Sequence, residues 1–187
     1  MGNDSTQVLR QTMKKPLVII GLAFGIGVLA VMVYGLFFAS NPREIPSAQI
    51  GKKAQPFTVT TFDGRSLSLE DMRGKPVVLN FWASWCVACR QEAHILEAAH
   101  QEYTPQVAFI GIAINDTREA SLQFIRRYGK TYWLAPDDEL GNISLNYGVT
   151  AVPETFLIDD EGFIEKKVLG AIDRETLYGF IHEQFEN

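Results

Sequence analysis

At 187 residues with 47% hydrophobic side chains, the chain has material for a membrane anchor plus one domain of ordinary size. Lys and Arg number 17 against 22 Asp and Glu, a net charge of −5 that gives no overall basic excess for a nucleic-acid partner. Only two cysteines are present, so no disulfide framework holds the fold together, and no internal repeat or low-complexity tract occurs.

Residues 1–16 are polar, with Arg10, Lys14 and Lys15 near their end and Asp4 as the only acid. Leu17 to Ala39 then carries no charge and is long enough to cross a bilayer. Its glycines are tolerated there, because a membrane helix satisfies its backbone bonds internally. An uncleaved anchor is the expectation: the run is long for a signal peptide, and Phe37 spoils a small-x-small site ending at Ala39. The basic cluster precedes the span and only Arg43 and Glu44 closely follow it, which places residues 1–16 in the cytoplasm and exports the rest. In a bacterium the chain is then a single-pass protein of the cytoplasmic (inner) membrane, with its domain in the periplasm or on the outer face.

Residues 40–49 read as a linker, with proline-bearing extended chain running on to Pro56, and 50–187 as the globular domain. Phe57 to Phe62 alternates like a strand, Asp63-Gly64 is a turn signal, and Ser66 to Leu69 alternates again. Val77 to Trp82 is apolar on both faces, as a strand covered on both sides should be. From Cys86 a helix is predicted to about Glu102, with a stripe of Ala88, Ile95, Ala99 and Tyr103, and Leu96 beside it. Glu92 falls on that stripe one turn beyond Cys89, either partly buried with a raised pKa or reaching out past its neighbours.

Val107 to Ile114 is a second buried strand. Asp116-Thr117 offers an N-cap for a helix to about Tyr128, which Gly129 ends. Tyr132 to Ala135 reads as a short strand, and Pro136 to Tyr147 as a loop and short helix. Thr155 to Asp159, a turn at Asp160-Glu161-Gly162 and Phe163 to Leu169 form a hairpin. A last helix from Asp173 to about Phe185 turns Leu177, Phe180, Ile181 and Phe185 inward. This order predicts one α/β domain, a mixed β-sheet with helices on both faces, preceded by an N-terminal transmembrane helix.

The chemistry concentrates in Phe81-Trp82-Ala83-Ser84-Trp85-Cys86-Val87-Ala88-Cys89-Arg90, where a strand meets a helix. A thiol at a helix N-terminus has its thiolate stabilised by unpaired N–H groups and the positive end of the macrodipole. The second thiol, one turn in, can close a disulfide back onto the first, so Cys86 and Cys89 suit thiol–disulfide exchange. A purely structural disulfide is a poor reading, since so short a loop removes little unfolded-state entropy. A metal site is a poor one too: zinc takes about four ligands, and His94 and His100 bring no second pair. His94, His100 and His182 read as surface or packing residues, and Trp82 as core.

Trp85-Cys86-Val87-Ala88-Cys89 resembles the thioredoxin active site. Val152-Pro153, before the strand Thr155 to Ile158, resembles the cis-proline position of the thioredoxin-like fold, although Pro153 read alone could be cis or trans. More narrowly, the chain resembles the membrane-anchored reductases of cytochrome c maturation, the DsbE/CcmG group, with ResA and TlpA as close relatives. Arg43 to Ser47 with Ile50-Gly51-Lys52, Gly74-Lys75-Pro76 with Asn80 to Cys86, and Gly148-Val149 with Val152 to Asp159 carry the likeness. Pro153-Glu154-Thr155 is its most specific part.

The resemblance implies that Cys86 attacks, Cys89 resolves and Pro153 faces the dithiol. It places Glu92 and Glu154 beside that dithiol, with Trp85, Val152 and Glu154 toward substrate. Asn80 stands where thioredoxin has a buried aspartate, which leaves Glu92 as the candidate proton acceptor for Cys89. One departure is Val87-Ala88, which carries no proline between the cysteines, where these families commonly have one. The redox-active disulfide is the only group implied; no cofactor or metal is. The partners implied are apocytochrome c or a maturation protein as substrate, and a DsbD- or CcdA-type membrane donor of electrons.

Two rival functions are also compatible with the sequence. A general exported oxidoreductase would be placed by its potential, toward about −120 mV as an oxidant or about −270 mV as a reductant. A non-enzymatic anchored binding module for apocytochromes predicts that Cys86→Ser keeps biological activity. A peroxidase reading is weakened by the absence of Pro-x-x-x-Thr-x-x-Cys.

Overall fold

A computed structural model describes residues 19–34 and 49–186. The chain divides into two units, Met1–Pro42 and Arg43–Asn187. In the first, helix α1 covers residues 19–34 with its side chains exposed. It falls within the predicted span 17–39, whose remaining residues, like segment 1–16 and linker residues 40–48, lie outside those described. Among the described residues no helix is long and apolar enough to cross a membrane.

In the second unit the strands are β1 (Thr58–Thr60), β2 (Ser66–Ser68), β3 (Val77–Trp82), β4 (Ala108–Ala113), β5 (Trp133–Pro136), β6 (Glu154–Ile158) and β7 (Ile164–Leu169). The helices are α2 (Val87–Tyr103), α3 (Arg118–Tyr128), α4 (Asn142–Asn146) and α5 (Arg174–Glu186). The main sheet runs β5-β4-β3-β6-β7, parallel across β3, β4 and β5 and antiparallel from β3 to β6 to β7. β1 and β2 form a separate hairpin instead of joining it. The hairpin is held by Phe62 N–H, which donates to the Leu134 carbonyl at 2.8 Å.

The sequence of crossovers explains the layers. From β3 to β4 to β5 the chain steps twice in one direction, and right-handed connections put α2 and α3 on the same face. That face holds Val78 and Trp82 from β3, Phe109 and Ala113 from β4, Leu157 from β6, and α5 through Leu177, Phe180 and Ile181. The opposite face holds Val77, Leu79 and Phe81 under the β1–β2 hairpin and α4. Every residue of β3 and β4 is buried, as continuous apolar strands require.

Helix ends follow their side chains. Thr117 caps α3 by accepting from Ala120 N–H at 3.2 Å, and Gly129 ends it in the left-handed region with φ 64°. Two expectations shift. The buried face of α2 is Cys89, Glu92, Ala93, Leu96, Glu97 and Ala99, rotated from the Ala88–Ile95–Ala99–Tyr103 stripe. The rotation follows from the two cysteines and Ala93, which turn in over the sheet. Phe185 is not inward: it is 51% exposed and stacks on Tyr103 near the end of α5.

Candidate active site

β3 ends at Trp82 and the next turn delivers Cys86 as the N-cap of α2. Cys86 and Cys89 form a disulfide with Cα atoms 5.3 Å apart. Cys89 N–H donates to Cys86 Sγ at 3.0 Å, so one of the unpaired first-turn donors of the helix points at the N-terminal sulfur. Both cysteines are buried, while Trp85 is 56% exposed on the rim and Val87 stands out to solvent.

The approach to the disulfide is fixed by Asp116, which the sequence offered only as part of a helix cap. Its carboxylate accepts from Ser84 N–H at 2.7 Å, Ser84 Oγ at 2.8 Å and Ser121 Oγ at 3.0 Å. Next to it Asn115 takes a positive φ of 48°, a conformation asparagine tolerates, and its carbonyl accepts from Trp85 Nε1 at 3.0 Å. The rim tryptophan is therefore anchored at its polar end.

Val152–Pro153 is a cis peptide bond, and the Val152 carbonyl oxygen lies 3.5 Å from Cys86 Sγ. Glu154 holds this loop from below. Oε1 accepts from Thr150 N–H at 3.0 Å, Thr150 Oγ1 at 2.8 Å and Ala151 N–H at 3.1 Å. Oε2 pairs with Lys167 Nζ at 2.8 Å, and the same ammonium donates to the Gly148 carbonyl. Glu154 is 0% exposed, and strand alternation from Phe156 turns it to the hairpin face, away from Glu92. It lies under the cis-proline loop, holding the Thr150–Ala151 backbone.

Glu92 is 1% exposed, which decides between the two conformations open to it. Asn80 Nδ2 donates to its Oε1 at 2.8 Å and Ile172 N–H to its Oε2 at 2.9 Å. Asn80 also donates to Thr155 Oγ1 at 3.0 Å, forming a polar layer under α2. Burial pushes the Glu92 carboxyl up to about 7, against the opposing pull of the Ile172 and Asn80 hydrogen bonds and the charge of Lys130.

Lys130, Glu97 and Tyr132 escaped the sequence reading. Lys130 follows a helix-ending glycine and has the pattern of a solvated loop lysine; its burial is a tertiary fact. Burial lowers its ammonium to about 7 while Glu92 and Glu97 draw it back up. His100 packs edge-on to Phe109 and Tyr132, and His182 bonds Tyr103 Oη at 2.9 Å, packing roles in both cases.

Residues 50–167 match the AhpC/TSA family. The chain is 38% identical over 162 residues to the thiol:disulfide interchange protein DsbE of Pseudomonas fluorescens biotype C, covering 86% of this chain and 88% of that one. It is 33% identical over 156 residues to the thiol-disulfide oxidoreductase ResA of Bacillus anthracis, covering 83% and 87%. This chain belongs to the DsbE/ResA family of thiol:disulfide oxidoreductases. Among solved structures it is similar to MTB DsbF, with a TM-score of 0.64 and 31% identity over 74% of this chain and 98% of that one. A Chlorobium tepidum chain described as a DsbE interchange protein gives a TM-score of 0.68 and 28% identity over 74% and 99%. The two cysteines of this chain are the pair that forms the disulfide at the start of α2.

Proposed function

We propose that this oxidoreductase works as an exported reductase on the oxidised haem-binding cysteines of an apocytochrome c, or on a maturation protein that holds them. Residues 17–39 anchor it to the cytoplasmic membrane with residues 1–16 inside, and a DsbD- or CcdA-type membrane protein returns its electrons. The disulfide is the only redox group it needs. The observation that carries the reading is an N-cap cysteine whose sulfur faces the Val152 carbonyl at 3.5 Å, over a buried acid one turn beyond Cys89.

In the reduced protein Cys86 thiolate attacks one sulfur of the substrate disulfide, that S–S bond breaks, and one substrate thiolate leaves. A mixed disulfide joins Cys86 to the other substrate sulfur. In this reading the extended substrate chain docks along the Val152 carbonyl beside Cys86, under Trp85 on the rim. Cys89 then gives its proton to Glu92 and attacks Cys86 Sγ. The Cys86–Cys89 bond forms, the second substrate thiolate departs, and two electrons have passed to substrate.

The test is Cys89→Ala in the native membrane, with identification of whatever remains disulfide-linked to Cys86. Capture of apocytochromes c or their maturation proteins supports the reading. A broad mixture of exported proteins replaces it with a general oxidoreductase. An empty trap, together with a Cys86→Ser variant that keeps biological activity, replaces it with a binding module.

A further inference from the structure

Among the buried groups, Lys130 has no part in the mechanism above. It is 6% exposed, in the connection between α3 and β5, and its ammonium makes no hydrogen bond or ion pair among the described residues. Three aromatic rings surround it instead: Nζ lies 4.2 Å from the Trp82 ring centroid, 5.1 Å from that of Tyr132 and 5.5 Å from that of Phe124. Aromatic faces attract a cation but do not replace the water it gives up, so a buried ammonium needs a nearby negative charge.

The cage stands against the polar layer of the active site. Trp82 follows Asn80 by two residues on β3, on the same face of the sheet. Asn80 is paired in register with Gly111 of β4. Gly111 opens the space between them: a Cβ there would come 3.0 Å from Trp82 Nε1, 3.2 Å from Tyr132 Cε2 and 2.7 Å from Leu134 Cδ2. The caged ammonium thus stands on the face of the sheet that carries the Asn80–Glu92 pair, against Trp82, two residues along β3 from Asn80. Glu97, one helical turn beyond Ala93, fixes the backbone beside Lys130 by accepting from Thr131 N–H at 2.8 Å and Thr131 Oγ1 at 2.6 Å.

We infer that Lys130 is a positioning residue whose caged ammonium supplies the counter-charge for the Glu92 carboxylate, holding it ready to take the Cys89 proton. The second half of that statement rests on the proposed role of Glu92; the first does not. When Cys89 passes its proton to Glu92, one negative charge moves from carboxylate to thiolate and none is created. The ammonium therefore faces an anion before and after the transfer. Without it, Glu92 in its buried site binds a proton more tightly and is already occupied near neutral pH, leaving Cys89 without an acceptor. The opposite shifts of the two groups, carboxyl up and ammonium down by burial, each countered by the other's charge, agree with this pairing. The titratable groups around Glu92 are Lys130 and Tyr132 from the α3–β5 connection, and Cys89 and Glu97 on its own helix. β3, β6 and the β7–α5 connection present Asn80, Thr155 and the Ile172 amide, which do not titrate; Glu154 and Lys167 pair on the other face.

The test uses the full chain in detergent with carboxyl-labelled glutamate, the Glu92 resonance being assigned by its loss in Glu92→Gln. In Lys130→Met the Glu92 titration midpoint is expected to rise by about one pH unit or more, a tenfold change in its protonation ratio. An unchanged midpoint overturns the inference. If Lys130→Met does not fold, the reciprocal measurement decides: the Lys130 ammonium midpoint is expected to fall in Glu92→Gln, and a constant value overturns the inference. The pH profile of mixed-disulfide release separates the two claims. A profile that moves with the Glu92 midpoint supports both. A profile that stays while the midpoint moves upholds the pairing and removes Glu92 as the acceptor for Cys89.

Discussion

Taking the Glu92 carboxylate out of water raises its midpoint from 4.5 to about 7, and that shift links folding to pH. Between those values the native state holds a proton that the unfolded chain has released, so this group's contribution to stability is present below about 4.5 and lost as pH rises to about 7. Lys130 acts in the opposite sense. Its midpoint falls from 10.5 to about 7, so above about 7 the unfolded chain holds the extra proton and stability rises with pH. The expected outcome is a minimum in the pair's contribution near neutrality. Urea unfolding of the oxidised protein and of Glu92→Gln across this range will check it: the descending limb on the acid side should be present in the first and absent from the second. In turnover, Glu92→Gln should slow release of the mixed disulfide near pH 7 by roughly 100-fold, the low end of what a positioned proton acceptor contributes. Its effect on the first attack by Cys86 should be much smaller, as rapid-quench trapping of the mixed disulfide will show. At this scale the dithiol was legible because its chemistry lies in four consecutive residues. Glu92 was half legible: helical spacing placed it one turn beyond Cys89, but only Asn80 and Ile172, brought in from β3 and the β7–α5 connection, reveal that it is buried. Lys130 was not legible at all, since nothing local distinguishes a caged lysine from a solvated one.

Elements deliver the site by two devices, one electrostatic and one steric. Glu154 on β6 and Lys167 on β7 tie the Thr150–Ala151 backbone and the Gly148 carbonyl to the sheet, and so hold the cis-proline loop against Cys86. Removing one partner of a buried pair leaves an uncompensated charge, at a cost of about 3–5 kcal/mol. Lys167→Met should therefore lower the urea midpoint sharply, whereas Lys167→Met combined with Glu154→Gln should recover part of the loss. Gly111 is the steric device. Gly111→Ala forces its Cβ into Leu134 and Trp82 and should cost about 1–3 kcal/mol, with the Trp82 fluorescence altered in the folded state. The order of strands and helices could be read from alternation, turn signals and caps, because those are local. The phase of α2 could not, because its buried face includes two carboxylates, Glu92 and Glu97, that a hydrophobic pattern does not count. Phe185 failed for a related reason: an aromatic at the last turn of a helix has the right spacing but no sheet beneath it.

For the whole molecule, the question is whether residues before the domain serve its chemistry or its location. Both apolar clusters of the domain are built from residues 54–181, and the disulfide, the cis-proline loop and the Glu92–Lys130 layer fall within them. The N-terminal unit brings a helix whose apolar side chains stand exposed. A variant lacking residues 1–42 should then unfold within about 2 °C of the full chain, because it keeps every residue of both clusters. It should also reduce a small synthetic disulfide at an unchanged rate, since Cys86, Cys89 and Glu92 keep their surroundings. What should change is location: the full chain should fractionate with membranes and resist extraction by salt, and the shortened one should not. Loss of the exchange reaction would show that the N-terminal unit completes the site. Retention of the shortened chain in the membrane would remove residues 17–39 as the anchor. If location alone is lost, reactivity is a property of the domain, and the tether acts through effective concentration near its electron donor and substrates. Cytochrome c maturation should then fail in cells expressing the shortened chain and recover when an unrelated transmembrane helix is fused in front of Arg43.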